Sequence, residues 1–223
     1  VKHRALRRFA NGVRMKLFLK TTGLKTLLCL LGNFVIGIGV AFIKSAAFGI
    51  DPFNGGCMAL AGALGVPYTL FTLCLNTVLF IALLLWGRRY INIGTFINWF
   101  LLCYVVDFFM PIFAKAVGFP SALLPRLAIL IGGVLTISFG LALYQCADLG
   151  VSPYDALPLY LHDHFPKIKY FWLRVLLDSV MVLIMLLCKA QTGLGTVVLM
   201  FGLGPFVQFF SAIIQKFILP KRV

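Results

Sequence analysis

Two short runs, far apart in the chain, carry the same set of residues for starting a helix and holding a polar group there. Gly49-Ile50-Asp51-Pro52-Phe53-Asn54 and Gly150-Val151-Ser152-Pro153-Tyr154-Asp155 share one order: glycine, a side-chain oxygen, proline, an aromatic ring, a polar residue. Glycine allows a sharp backbone turn. Asp51 and Ser152 suit the N-cap, and the proline after each suits the first helical position, where no backbone N–H is needed. Gly94-Thr95 and Gly195-Thr196 repeat the logic with threonine as the expected cap. A helix start exposes free N–H groups and carries about half a positive charge, which favours an anion. The expected substrate-binding residues are therefore Gly49, Asp51, Pro52, Asn54, Gly94, Thr95, Gly150, Ser152, Pro153, Asp155, Gly195 and Thr196, and the expected ligand is a small anionic solute. An ordinary capped turn at a membrane surface explains either run alone. It explains less well why both carry it.

Two further carboxylates stand inside apolar runs. Asp107 lies in Tyr-Val-Val-Asp-Phe-Phe and Asp178 in Leu-Leu-Asp-Ser-Val-Met. A carboxylate at mid-bilayer costs roughly 2.5–3.5 kcal/mol on insertion scales, so such residues face the interior of a bundle. Arg174, one helical turn before Asp178, offers it an intrahelical partner. Asp107 has no charged neighbour in sequence and is the better candidate for coupling to a proton or cation. Asn76 and Asn98, also within spans, read as interhelical hydrogen-bond formers.

Other chemistry is thinly represented. His162-Asp163-His164 would place its two imidazoles on different faces of a short helix, a poor start for a metal site. The six cysteines form no C-x-x-C pair and read as small packing residues. No nucleophile motif, phosphate loop or paired-carboxylate pattern is present. Enzymatic activity, a metal and a cofactor are not expected.

The elements that must position these residues are set by the solvent the chain demands. Of its 223 residues, 61% are apolar, and the only acidic ones are 6 aspartates. That composition fits hydrocarbon rather than water, with about 20 apolar residues needed per span. Spans are expected at Thr26–Lys44, Tyr68–Trp86, Thr95–Ile112, Leu123–Tyr144, Tyr170–Cys188 and Thr196–Ile218. Pro52–Leu64 and Pro153–Phe165 are too short to cross. A signal peptide ending near Ser45-Ala46-Ala47 competes for the first span, but that run is long for one and has a counterpart later in the chain.

One constant shift lays residues 29–113 on 130–214 without a gap. It carries Gly49 onto Gly150, Pro52 onto Pro153, Gly94-Thr95 onto Gly195-Thr196 and Phe108-Phe109 onto Phe209-Phe210. With three spans per copy, the second copy is inverted relative to the first. Charge supports this. If both termini are cytoplasmic, the outer segments hold only Lys44, Lys115, Arg126 and Lys189 of the 20 basic residues, which leaves 16 inside. The formal net charge of +14 is thus placed to fix membrane orientation, not to bind nucleic acid. Residues 1–20 are expected to form a basic amphipathic helix on an anionic leaflet. The expected organisation is an arm at 1–25, a first repeat at 26–114 and a second at 122–218.

The two G-[IV]-[DS]-P-[FY]-[ND] runs, with Gly193-Leu194-Gly195-Thr196 and its counterpart Asn92–Thr95, resemble the YczE/YyaS/YitT-like bacterial membrane proteins over about residues 27–215. Tyr154 stands where that family favours tryptophan. The resemblance implies a bacterial plasma-membrane protein and no defined activity. The reading as a whole is an all-α polytopic bundle in the lipid bilayer, two inverted three-span repeats with short half-helices after spans 1 and 4. Its expected function is secondary transport of a small anionic solute. The rival readings are a non-transporting assembly or regulatory partner of another membrane protein, a homo-oligomer included, and a capture subunit of a larger transport complex.

Overall fold

The computed structural model describes residues 2–45, 48–118, 120, 122–190 and 192–217, with side chains from residue 22 onward. Its helices are α1 (Lys2–Ser45), α2 (Pro52–Leu64), α3 (Tyr68–Trp86), a 3-10 turn at Arg88–Tyr90, α4 (Ile93–Ala116), α5 (Leu123–Ala147), α6 (Pro153–His164), α7 (Tyr170–Leu187) and α8 (Leu194–Phe217). Among the described residues, six helices are long and apolar enough to cross a membrane: Thr22–Ser45 of α1, then α3, α4, α5, α7 and α8. The chain is a multi-pass membrane protein. At about 1.5 Å per residue, α2 and α6 span about 20 Å or less, short of the ~30 Å hydrocarbon core. The arm is helical from Lys2 and runs on into the first span. The expectation that its faces sort into apolar and basic sides falls on side chains outside the described ones.

The bundle is built around α1 and α5, which share the most extensive packing. In each, 56% of the most apolar window is buried, against 17–28% for the other four spans. Those four present leucine, valine and phenylalanine outward, as lipid contact requires. Glycines set the α1–α5 distance. A Cβ on Gly32 would meet Tyr144 N at 2.6 Å and Gly140 O at 2.7 Å, and one on Gly39 would meet Ile137 Cγ1 at 2.7 Å. Gly133 is packed as closely against Ile43. Partner numbers fall along α5 as they rise along α1, so the two helices run antiparallel. Small residues at such crossings let backbones approach where apolar burial supplies no drive in lipid. A buried hydrogen bond from Asn98 Nδ2 to Asn33 Oδ1, 2.5 Å long, ties α4 to α1.

Candidate functional site

Both G-x-[DS]-P runs end a span, turn, and start a short helix as their residue types dictate. Gly49 (φ +109°) and Gly150 (φ +93°) occupy backbone that favours glycine. Asp51 caps α2, its Oδ2 accepting from Asn54 N at 3.0 Å and Asn54 Nδ2 at 2.9 Å. Ser152 caps α6, its Oγ accepting from Asp155 N at 3.0 Å. A proline follows each cap at the head of its helix.

The two helix starts converge. The rings of Phe53 and Tyr154, which hold the same place in the two runs, stack with centroids 4.3 Å apart. Beside them is a cavity of about 80 Å³ whose lining includes Asp51, Asn54, Ser152, Asp155, Arg174 and Asp178. Ile36 and Ile137 also line it, near the middles of the α1 and α5 spans, so the cavity sits at mid-depth in the bundle. By the same measure one water needs about 10–15 Å³, so several waters or one small ion fit, and a drug-sized ligand does not.

A polar network fixes the α6–α7 side. Arg174 pairs with Asp155 and, through Nε at 3.2 Å, with Asp178 Oδ2. Tyr154 Oη donates to Asp178 Oδ1 at 2.7 Å, and the guanidinium carbon lies 5.0 Å from the Tyr154 ring centroid. Asp178 is 4% exposed, as a carboxylate that accepts from a half-buried cation and from a tyrosine can be. On the α2 side, Tyr68 Oη donates to Asn54 Oδ1 at 2.6 Å. Asp51 Oδ1 is buried there without a hydrogen-bond partner.

The cavity gathers Asp51, Pro52, Asn54, Ser152, Asp155 and Asp178 from the expected residues, and Pro153 is buried beside it. It does not gather Gly49, Gly94, Thr95, Gly150, Gly195 or Thr196. These form two clamps away from it. Gly94 N donates to Leu149 O at 2.7 Å, and Gly195 N donates to Phe48 O at 2.8 Å. Thr95 Oγ1 donates to Val151 O at 2.8 Å. Thr95 is not the cap of α4 either. Asn92 is, and Thr95 reaches back to the Asn92 N–H. The two glycine N–H groups tie backbone to backbone in both copies, whereas Thr196 Oγ1, the counterpart of Thr95 Oγ1, is buried without a hydrogen-bond partner.

Asp107 stands apart from the cavity too. Its Oδ2 accepts from Thr69 Oγ1 and, at 3.3 Å, from Thr69 N, so it serves the first turn of α3. The histidine pair turns to backbone, His162 to Ile168 O and His164 to Tyr160 O, while Asp163 pairs with Arg89. Among the described residues, no three histidine, cysteine or acidic groups gather as a metal site requires.

The charge of the site is opposite to that expected for an anion. Three carboxylates face one guanidinium, and one N–H at each helix start, that of Asn54 in α2 and of Asp155 in α6, already serves Asp51 or Ser152. The helix starts favour negative charge, but the chain's own side chains supply it. Sequence reading missed Phe53, Tyr154 and Tyr68 as site residues, and took Arg174 only as a partner for Asp178. The aromatic residue repeated at one place in both runs was the available signal.

A family model described as a family of unknown function, DUF6198, matches residues 23–212. An uncharacterised protein of Haemophilus influenzae is 29% identical over 186 residues, covering 82% of this chain and 81% of its own length. The uncharacterised protein YyaS of Bacillus subtilis is 20% identical over 192 residues, covering 86% of this chain and 94% of its own. No solved structure matches.

Proposed function

This chain belongs to DUF6198, a family of unknown function, and we propose that it carries a small solute across the bacterial plasma membrane by rocking two inverted three-span repeats about the central cavity. The observation that carries the reading is the meeting of the α2 and α6 starts, Phe53 on Tyr154, beside a charged cavity level with the middles of α1 and α5. Broken helices with their starts at the binding site, near the membrane centre, are how inverted-repeat transporters hold solutes.

Exchange of contacts between the copies supports the inverted repeat. The shift that carries Gly94 onto Gly195 also carries Phe48 onto Leu149, so the two clamps are one contact made twice. The stacked pair Phe53 and Tyr154 maps onto itself. Antiparallel packing of α1 on α5 is what inversion requires. Distribution of the basic residues supports cytoplasmic termini.

A subunit that only holds another protein in place needs no charged cavity at mid-depth, although Asp51 as a cap and Asp155 and Asp178 as partners of Arg174 also serve the fold. The experiment is uptake into liposomes by the purified full chain across anionic, cationic and neutral small solutes. The reading expects uptake of at least one solute that Asp51→Ala and Ser152→Ala abolish. Uptake of none, or uptake those substitutions leave unchanged, contradicts it.

A further inference from the structure

The geometry points to a small monovalent cation as the occupant of the central cavity, drawn to its α2 side by the carboxylate of Asp51. This rests on the cavity being the solute site. It goes further by fixing the sign and size of what enters.

The two equivalent halves are asymmetric. On the α6 side, Asp155 and Asp178 share Arg174, a cation the chain supplies for itself. The shift relating the copies puts Leu73 where Arg174 stands and Asp51 where Ser152 stands. The α2 side therefore carries a carboxylate at the cap, has Asn54 and Thr77 where the other half has Asp155 and Asp178, and has no cation in the corresponding place. Asp51 Oδ2 is occupied by two donors from Asn54, while Oδ1 is buried, partnerless and part of a group that lines the cavity. With all three aspartates ionised and Arg174 counted once, the cavity carries a formal charge of −2. In a low-dielectric interior such an excess favours a positive guest. A volume of about 80 Å³ limits the guest to an alkali ion or ammonium with a few waters. Among the described residues no three histidine, cysteine or acidic groups gather to a point, so the guest has few protein ligands and keeps water around it.

Thermal unfolding of the full-length protein in detergent tests this, with sodium, potassium or ammonium chloride titrated against N-methylglucamine chloride at fixed ionic strength. The inference expects one small cation to raise the midpoint saturably by several degrees. Asp51→Asn, which keeps a capping oxygen, should remove that rise and lift the midpoint measured without the cation. Asp51→Ser, which copies the other half, is the second variant should the first fold poorly, and it too should lose the rise. An equal rise with N-methylglucamine, no rise with any small cation, or a rise that persists in both variants overturns the inference. Saturable binding with no solute uptake in liposomes leaves the cation site standing and removes the transport reading. Uptake that needs Asp51 and Ser152 without any cation-dependent midpoint removes only the cation.

Discussion

Arg174 bridges Asp155 at the start of α6 and Asp178 in the middle of α7. One guanidinium thus closes the second half of the cavity and fixes the short helix to the span behind it.

Arg174→Leu strands two carboxylates, one of them in a residue 4% exposed. Removing one partner of a fully buried pair costs about 3–5 kcal/mol, and the half-buried Arg174 should cost somewhat less. The single substitution should lower the unfolding midpoint sharply or prevent recovery of folded protein. Adding Asp178→Asn should restore part of the loss, because the remaining amide is neutral and still accepts from Tyr154. Thermal unfolding of the two variants in detergent checks the order. Equal loss in both would mean that charge is not what the pair manages.

The clamp glycines and the free glycines should respond oppositely to alanine. Gly49 has φ +109° and its missing Cβ would strike Thr196 and Gly193. Gly49→Ala should therefore cost well over about 1 kcal/mol, since left-handed backbone and overlap add. Gly150→Ala should behave alike. Gly62 lies inside α2 with nothing within 4 Å of its missing Cβ. Gly62→Ala should stabilise by about 0.5–1 kcal/mol. Midpoints for the three variants, measured side by side, settle the contrast.

Asp107 is placed as a helix-start acceptor, and its substitutions should read that way. Asp107→Asn keeps an acceptor for Thr69 and should leave uptake unchanged. Asp107→Ala should lose about 1 kcal/mol of stability, the usual worth of a cap, without a change in solute selectivity. Loss of ion dependence in Asp107→Asn would return it to the coupling role its position in sequence suggested.

What could be read in the sequence was what local physics determines. Apolar runs gave all six spans, with Tyr68–Trp86 matching residue for residue. Cap and proline placed the starts of α2 and α6 at Pro52 and Pro153. The Arg174–Asp178 pair followed from helical spacing alone. What could not be read depends on contacts between residues distant in the chain. Asp107 lacked a partner in sequence because that partner, Thr69, is 38 positions away. Gly94 and Gly195 have the residue types of a binding loop, and only tertiary packing puts Leu149 and Phe48 against their N–H groups. The proposed sign of the guest depends on distant contacts as well. A helix start attracts anions, but the side chains that gather around two such starts decide what else fits.

The central claim is that α2 and α6 begin together at mid-membrane and run to opposite faces. Ala63 and His164 are equivalent positions near the ends of those helices, both exposed. The measurement is labelling of single cysteines, Ala63→Cys and His164→Cys, in a variant whose native cysteines are replaced, using a membrane-impermeant thiol reagent on intact cells and then on inside-out vesicles. The account predicts that residue 63 reacts only from outside and residue 164 only from inside. Reaction of both from one face would contradict it.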